Sequence, residues 1–176
     1  MNSLFHEFYV QPMIQVYLES LAMYVLWTIL MLALKNDRIK HVVGIIGVVC
    51  ASTLIICFTI LNRSSGLREY CLIPFVTFLN AKTQPEFYRT MYMNVLLFIP
   101  LGLSLPFVLP SCIKHKVLFS ILIGFLISTG VEAAQFVFCI GRGETDDVIM
   151  NIAGVVIGTT SYLFCNSISK SIHRKN

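Results

Sequence analysis

The stretch Val117–Ile140, VLFSILIGFLISTGVEAAQFVFCI, decides the fold class. It is long enough to cross a bilayer core of about 30 Å at 1.5 Å per residue. It carries a single charge, Glu132. Four further runs share its character: Val16–Leu34, Val42–Leu61, Met91–Leu109 (interrupted by Pro100 and Pro106) and Val148–Cys165. Hydrocarbon offers backbone amides no partners except one another, so each run is predicted to be a helix. The expected architecture is all-α: a polytopic membrane helix bundle of five transmembrane helices, forming a single domain over residues 1–176.

Composition agrees. Of 176 residues, 56% are apolar and 12% are charged, and the mean hydropathy is +0.78. Soluble domains carry about 25% charged residues, so this chain has too little polar surface to coat a water-soluble globule. Its net charge of +4 is scattered rather than clustered, which argues against a nucleic-acid partner. The basic residues report topology instead. Lys35, Arg38, Lys40, Lys114, Lys116, Lys170, Arg174 and Lys175 fall on one side; Arg63, Arg68, Lys82, Arg89 and Arg142 fall on the other. By the positive-inside rule the N-terminus is expected outside and the C-terminus in the cytoplasm. Met1 to Gln15 shows no basic n-region and no cleavage site, so the first apolar helix is expected to act as its own insertion signal.

The six cysteines form no C-x-x-C pair and have no histidine at zinc-ligand spacing. Cys71 and Cys139 fall on the same side and could bridge, although nothing in their spacing demands it. No metal and no cofactor is expected.

The polar residues within the apolar runs carry the functional signal. An acid at the depth of Glu132 costs about 2.5–3.5 kcal/mol on insertion scales, so it should face protein or a wet cavity. Gln135, Ser128 and Gly124 share its helix face. Glu132 is then either inter-helix glue or part of a binding or chemical site. In the run Gly141–Asn151, Thr145 is a plausible helix cap, with Asp146 and Asp147 in the first turn at the positive end of the helix dipole. Asn151 lies one turn deeper, followed by Gly154 and Gly158 in a small-xxx-small strip that suits close packing. Asn94 opens the third run. Pro100 removes the partner of the Leu96 carbonyl and should bend that helix.

Between the second and third runs lies the long segment Asn62–Thr90. Its middle, Cys71–Leu79, is too apolar to float in water and too short to span, so it should lie in the interface or dip inward. Tyr70, Phe75, Phe78, Phe87, Tyr88 and Tyr92 suit the headgroup level. In the derived topology Asn94, Glu132, Gln135, Arg142, Asp146, Asp147 and Asn151 all gather in the outer third of the membrane or at its rim, so an outward-facing polar cleft is expected.

The order of these motifs resembles the VanZ-like family. It comprises Pro74-Phe75; Asn94, Phe98, Pro100 and Gly102 as N-x-x-x-F-x-P-x-G; Glu132 and Gln135 as E-x-x-Q; and Arg142 leading to Asp146-Asp147, Asn151, Gly154 and Gly158. The resemblance covers about Cys71 to Tyr162. It departs from the family pattern in the acidic run: Arg142-Gly-Glu144-Thr-Asp146-Asp147 is one residue shorter than Arg-x-x-Asp-x-Asp-Asp. The resemblance implies a bacterial cytoplasmic membrane and a link to low-level resistance against teicoplanin-type glycopeptides. It implies no particular biochemical mechanism.

Three readings follow. In the first, the protein alters or masks a cell-surface target, with Asn94, Gln135, Arg142, Asp146 and Asn151 holding a lipid-linked cell-wall precursor or the glycopeptide itself. In the second, it is a membrane-embedded transferase or hydrolase acting on such a precursor, with Glu132 and Asp147 as candidate acid/base groups. In the third, it is a small proton-coupled transporter. The last is disfavoured by polar residues confined to one side, a gap that a homo-oligomer would have to fill.

Overall fold

The apolar runs form helices, and polar residues set where those helices begin and end. The structure, a computed structural model, describes residues 11–61, 69–81, 86–140 and 142–173. Six helices are present among them: α1 (Gln11–Ala33), α2 (Asp37–Ile56, continued by a wider π-turn over Cys57–Leu61), the short α3 (Val76–Ala81), α4 (Glu86–Val108), α5 (Lys116–Phe138) and α6 (Thr145–His173). Four stretches are long and apolar enough to cross a membrane: Asp37–Leu61, Tyr88–Val108, Lys116–Phe138 and Thr145–Ile168. In α1 (23 residues) the apolar stretch among the residues described in full is Leu21–Ala33. The all-helical expectation stands, with four helices of membrane-crossing length and a further apolar stretch in α1 among the described residues.

Helix ends differ from the apolar runs by a few residues, because capping chemistry lies outside the apolar part. Asn36 caps α2, its side chain accepting from the Arg38 N–H at 2.9 Å. α5 stops at Phe138, two residues before the apolar run ends. There Cys139 turns into the left-handed region (φ 54°), and Ile140 N–H donates back to the Gln135 carbonyl at 3.1 Å. This closes the helix in a Schellman motif, without the glycine that usually occupies the turn. α4 starts five residues before the predicted run and carries both Pro100 and Pro106 in its interior.

Among the described residues the departure from helix is small. Segments β1 (Glu69–Cys71) and β2 (Arg142–Glu144) pair in parallel, with Glu69 opposite Arg142 and Cys71 opposite Glu144. Both strands lie just outside helix ends, so this end of the bundle is called the β end. At the opposite, basic end lie the α1–α2 and α4–α5 turns with Lys35, Arg38, Lys40, Lys114 and Lys116.

α4 and α6 are the most closely packed pair, and glycines make that possible. A Cβ on Gly154 would sit 2.2 Å from the Val95 carbonyl oxygen, one on Gly158 2.3 Å from that of Ile99, and one on Gly102 2.3 Å from that of Val155. Backbone meets backbone at each point, so neither side can yield. Around this contact Ala51, Ile55, Phe98, Leu101, Leu105, Val131 and Val155 form the core. α2 joins it through small residues of its own, since a Cβ on Gly47 would collide with both Trp27 and Ser104. α1 lies along α6 in the same direction: the Tyr24 hydroxyl hydrogen-bonds Ser161, and four residues on in each helix the Cys165 thiol faces the Thr28 carbonyl.

α5 shows which solvent the bundle is built for. Its buried face is Ser120, Gly124, Ser128, Val131 and Gln135, whereas Leu118, Leu122, Leu126 and Phe138 are exposed. Small and polar residues turn inward and large apolar ones outward, the reverse of a water-soluble helix and the pattern of lipid-facing packing.

Gly154→Ala is expected to lower the detergent-solubilised melting temperature, since overpacking against fixed backbone costs about 1–3 kcal/mol. At Gly130 an added Cβ meets nothing within 4 Å. Gly130→Ala should therefore leave the melting temperature unchanged or raise it, because Gly in a helix costs about 0.5–1 kcal/mol relative to Ala. Equal melting temperatures for the two variants would contradict the packing described.

Candidate functional site

Most of the polar residues singled out in the sequence gather toward the β end, but they do not share one cleft. Gln135, Asp146, Asp147 and Asn151 are buried, at 1%, 2%, 4% and 2% exposure. Asn94 is 9% exposed, and Glu132 is half-buried. The backbone of Arg142 forms part of β2; its side chain lies outside the described residues.

Two of the acids hold loops. A Glu132 oxygen accepts the Glu144 N–H at 2.8 Å, tying β2 to α5. An Asp146 oxygen accepts the Phe75 N–H at 2.5 Å, tying the segment after β1 to the first turn of α6. Phe75 adopts φ 67°, a left-handed conformation for a bulky residue. That conformation costs about 1–2 kcal/mol. A hydrogen bond to a charged group contributes about 1.5–3 kcal/mol, enough to hold the strained turn. The apolar segment Cys71–Leu79 is thus pinned at two points, by β1–β2 pairing and by Asp146. Leu72, Ile73, Phe75 and Leu79 remain exposed, as an interfacial segment requires.

Asp146 and Asp147 also occupy the first turn of α6, where the helix dipole favours negative charge. One turn on, Asn151 donates from Nδ2 to the Ser128 hydroxyl at 2.9 Å, a polar bridge between α6 and α5. Two turns further along α5, Gln135 donates from Nε2 to the Thr59 carbonyl at 3.0 Å. That carbonyl lies in the π-turn of α2, where widened backbone bonding leaves carbonyls open to side-chain donors. The Asn151 Oδ1 and Gln135 Oε1 atoms are buried with no hydrogen-bond partner. So is Asn94 Nδ2.

Asn94 stands apart from these bridges. It lines a cavity of about 210 Å³ between the π-turn of α2 and the first turns of α4, together with Thr59, Arg89, Thr90 and Met93. Glu132, Gln135, Asp146, Asp147 and Asn151 do not line this cavity. Arg89 and Thr59 are residues that sequence reasoning passed over. Arg89 entered only as one of five charges on its side of the membrane. Thr59 sits inside an apolar run, where threonine usually bonds its own helix, as it also does here to Ile55 at 2.6 Å. The signal that could have marked Arg89 is its place one and a half turns before Asn94, which brings both to the same end of α4.

With the Asp146 carboxylate removed, the Cys71–Leu79 segment should open more often. In a variant retaining Cys71 as its sole cysteine, Asp146→Ala is expected to raise the maleimide labelling rate of Cys71 by about tenfold or more, the effect of losing one charged hydrogen bond of about 1.5 kcal/mol or more. An unchanged rate would mean that strand pairing alone holds the segment.

Comparison with known proteins places this geometry. No curated protein and no solved structure matches the chain. The VanZ/LLP1 family model does, over residues 45–166. The match begins within α2 and so takes in Ala51 and Ile55 of the packed core. It also spans the Asp146-pinned segment, the α4–α6 glycine contact and the polar bridges at the β end. The chain is a membrane protein that belongs to the VanZ/LLP1 family.

Proposed function

We propose that the β end faces the cell exterior, and that the protein there binds a lipid-linked cell-wall precursor. By occupying it, the protein reduces access of teicoplanin-type glycopeptides to their target in the bacterial cytoplasmic membrane. One observation carries the reading. The cavity beside α4 presents the guanidinium-bearing Arg89 together with Asn94, whose buried Nδ2 has no hydrogen-bond partner. Both supply donors. A buried unsatisfied donor calls for an acceptor, and an arginine fork matches phosphate or carboxylate oxygens. A wall precursor offers both groups at the membrane surface.

Sidedness is supported by the basic end, where Lys35, Arg38, Lys40, Lys114 and Lys116 collect at two short turns, as on a cytoplasmic face. α1, running alongside α6 in the same direction, supports a fifth crossing with the N-terminus outside. Glu132 already accepts a backbone N–H that fixes β2, a positioning role that favours binding over acid–base catalysis.

The test is susceptibility to teicoplanin beside vancomycin in a sensitive Gram-positive host, with all variants at matched membrane levels. Arg89→Gln and Asn94→Leu are each expected to abolish the protection that wild type gives, whereas Glu132→Gln should retain most of it. Loss of protection in Glu132→Gln alone would favour the enzymatic reading. Absence of protection by wild type would remove the link to glycopeptides for this chain.

A further inference from the structure

At the basic end, away from every residue discussed so far as a site, lies a larger cleft of about 550 Å³. Its walls come from the first turns of α2, the last turn of α4, the start of α5 and the lower part of α6. The ends of all four membrane-length stretches, at Asp37, Val108, Lys116 and Ile168, converge around it. That convergence fixes its depth, because the end of a spanning helix is where lipid headgroups lie.

The lining divides in two. Arg38, Lys40, His41 and Lys116 form the polar part, with Asp37 as the one acid, and Phe107 and Tyr162 stand among the apolar walls. Three basic side chains, Arg38, Lys40 and Lys116, against one carboxylate give the cleft a positive lining. The N-terminus of the twenty-residue helix α2 opens into it and adds the positive end of a helix dipole. The cleft is also rigidly built. Pro110 has no N–H to serve the Pro106 carbonyl one turn back; instead Lys116 Nζ donates to the carbonyls of Pro106 and Leu109, at 3.3 and 2.7 Å. The His41 ring bonds the Phe107 carbonyl at 3.0 Å, and Phe107 packs edge-on against Tyr162 with ring centres 4.9 Å apart.

From this arrangement we infer that the cleft is a binding site for the phosphate headgroup of an anionic phospholipid. Arg38 and Lys40 hold the phosphate at the mouth, and the Phe107 and Tyr162 walls receive the glycerol and the upper acyl chain. A basic pocket between spanning helices at headgroup depth is the setting in which such lipids are recognised. A freely soluble phosphate would use the cations but not the apolar walls. The inference is independent of which side the basic end faces and of any function at the β end.

The experiment uses the full chain in neutral detergent, titrated with phosphatidylglycerol or phosphatidylcholine, with lipid retention read by native mass spectrometry. Wild type is expected to retain phosphatidylglycerol over phosphatidylcholine by at least about tenfold, since several basic residues at headgroup depth add their attraction to an anionic lipid. The double variant Arg38→Gln, Lys40→Gln should lose that preference while keeping its melting temperature in phosphatidylcholine micelles. Glycerol phosphate in excess should fail to displace the retained lipid. Equal retention of the two lipids by wild type, or an undiminished preference in the double variant, would overturn the inference. Displacement by glycerol phosphate would reassign the cleft to a soluble phosphate.

Discussion

The bundle depends on backbone touching backbone between α4 and α6. In hydrocarbon there is no hydrophobic gain in bringing two apolar helices together, so association must come from close packing and from hydrogen bonds. Gly102, Gly154 and Gly158 provide the first. Each lies where a single methyl group would meet a carbonyl oxygen of the other helix or its backbone. Once α4 and α6 are locked in this register, Val155 can reach Gly124 of α5, and Asn151 can reach Ser128. The polar bridges thus follow from the glycine contact rather than create it.

Polar chemistry is then allocated by depth. Inside the bundle, Asn151 with Ser128 and Gln135 with Thr59 link helices whose exposed sides carry mostly large apolar residues. At the β end the acids act on loops: Glu132 holds β2, and Asp146 holds the strained turn at Phe75. At the basic end Lys116 donates to the Pro106 carbonyl at the end of α4, in place of an N–H that Pro110 cannot supply. One chain therefore uses buried amides, carboxylates and ammonium groups for three separate mechanical tasks. Arg89 with Asn94 at one end, and Arg38 with Lys40 at the other, line the two cavities.

The two cavities differ in what they ask of an occupant. The smaller pairs one guanidinium with one buried amide donor in a narrow space, which suits selection of a particular acceptor group. The larger is wide, positive and half apolar, which suits an amphiphile chosen by charge and shape. Ligand recognition at the first and lipid recognition at the second are separable, because no residue lines both.

The sequence by itself determined the solvent and the class. Apolar runs of bilayer length force helices, since nothing else satisfies backbone amides in hydrocarbon, and the ordered motifs from Pro74 to Gly158 pointed to the family. Asp146 and Asp147 at a helix start and Gly154 and Gly158 as packing residues were equally legible, because both rest on local spacing along one helix. What only the tertiary structure decided depends on partners distant in the chain. Phe75 meets Asp146 across 71 residues, and Gln135 meets Thr59 across 76. No periodicity encodes such pairings. The parallel β1–β2 contact was invisible for the same reason, as three-residue strands carry no pattern of their own. The expected single outward cleft became a set of bridges beside a smaller cavity, because helix rotation, set by glycines on α4 and α6, decides which polar side chains face one another and which face an opening.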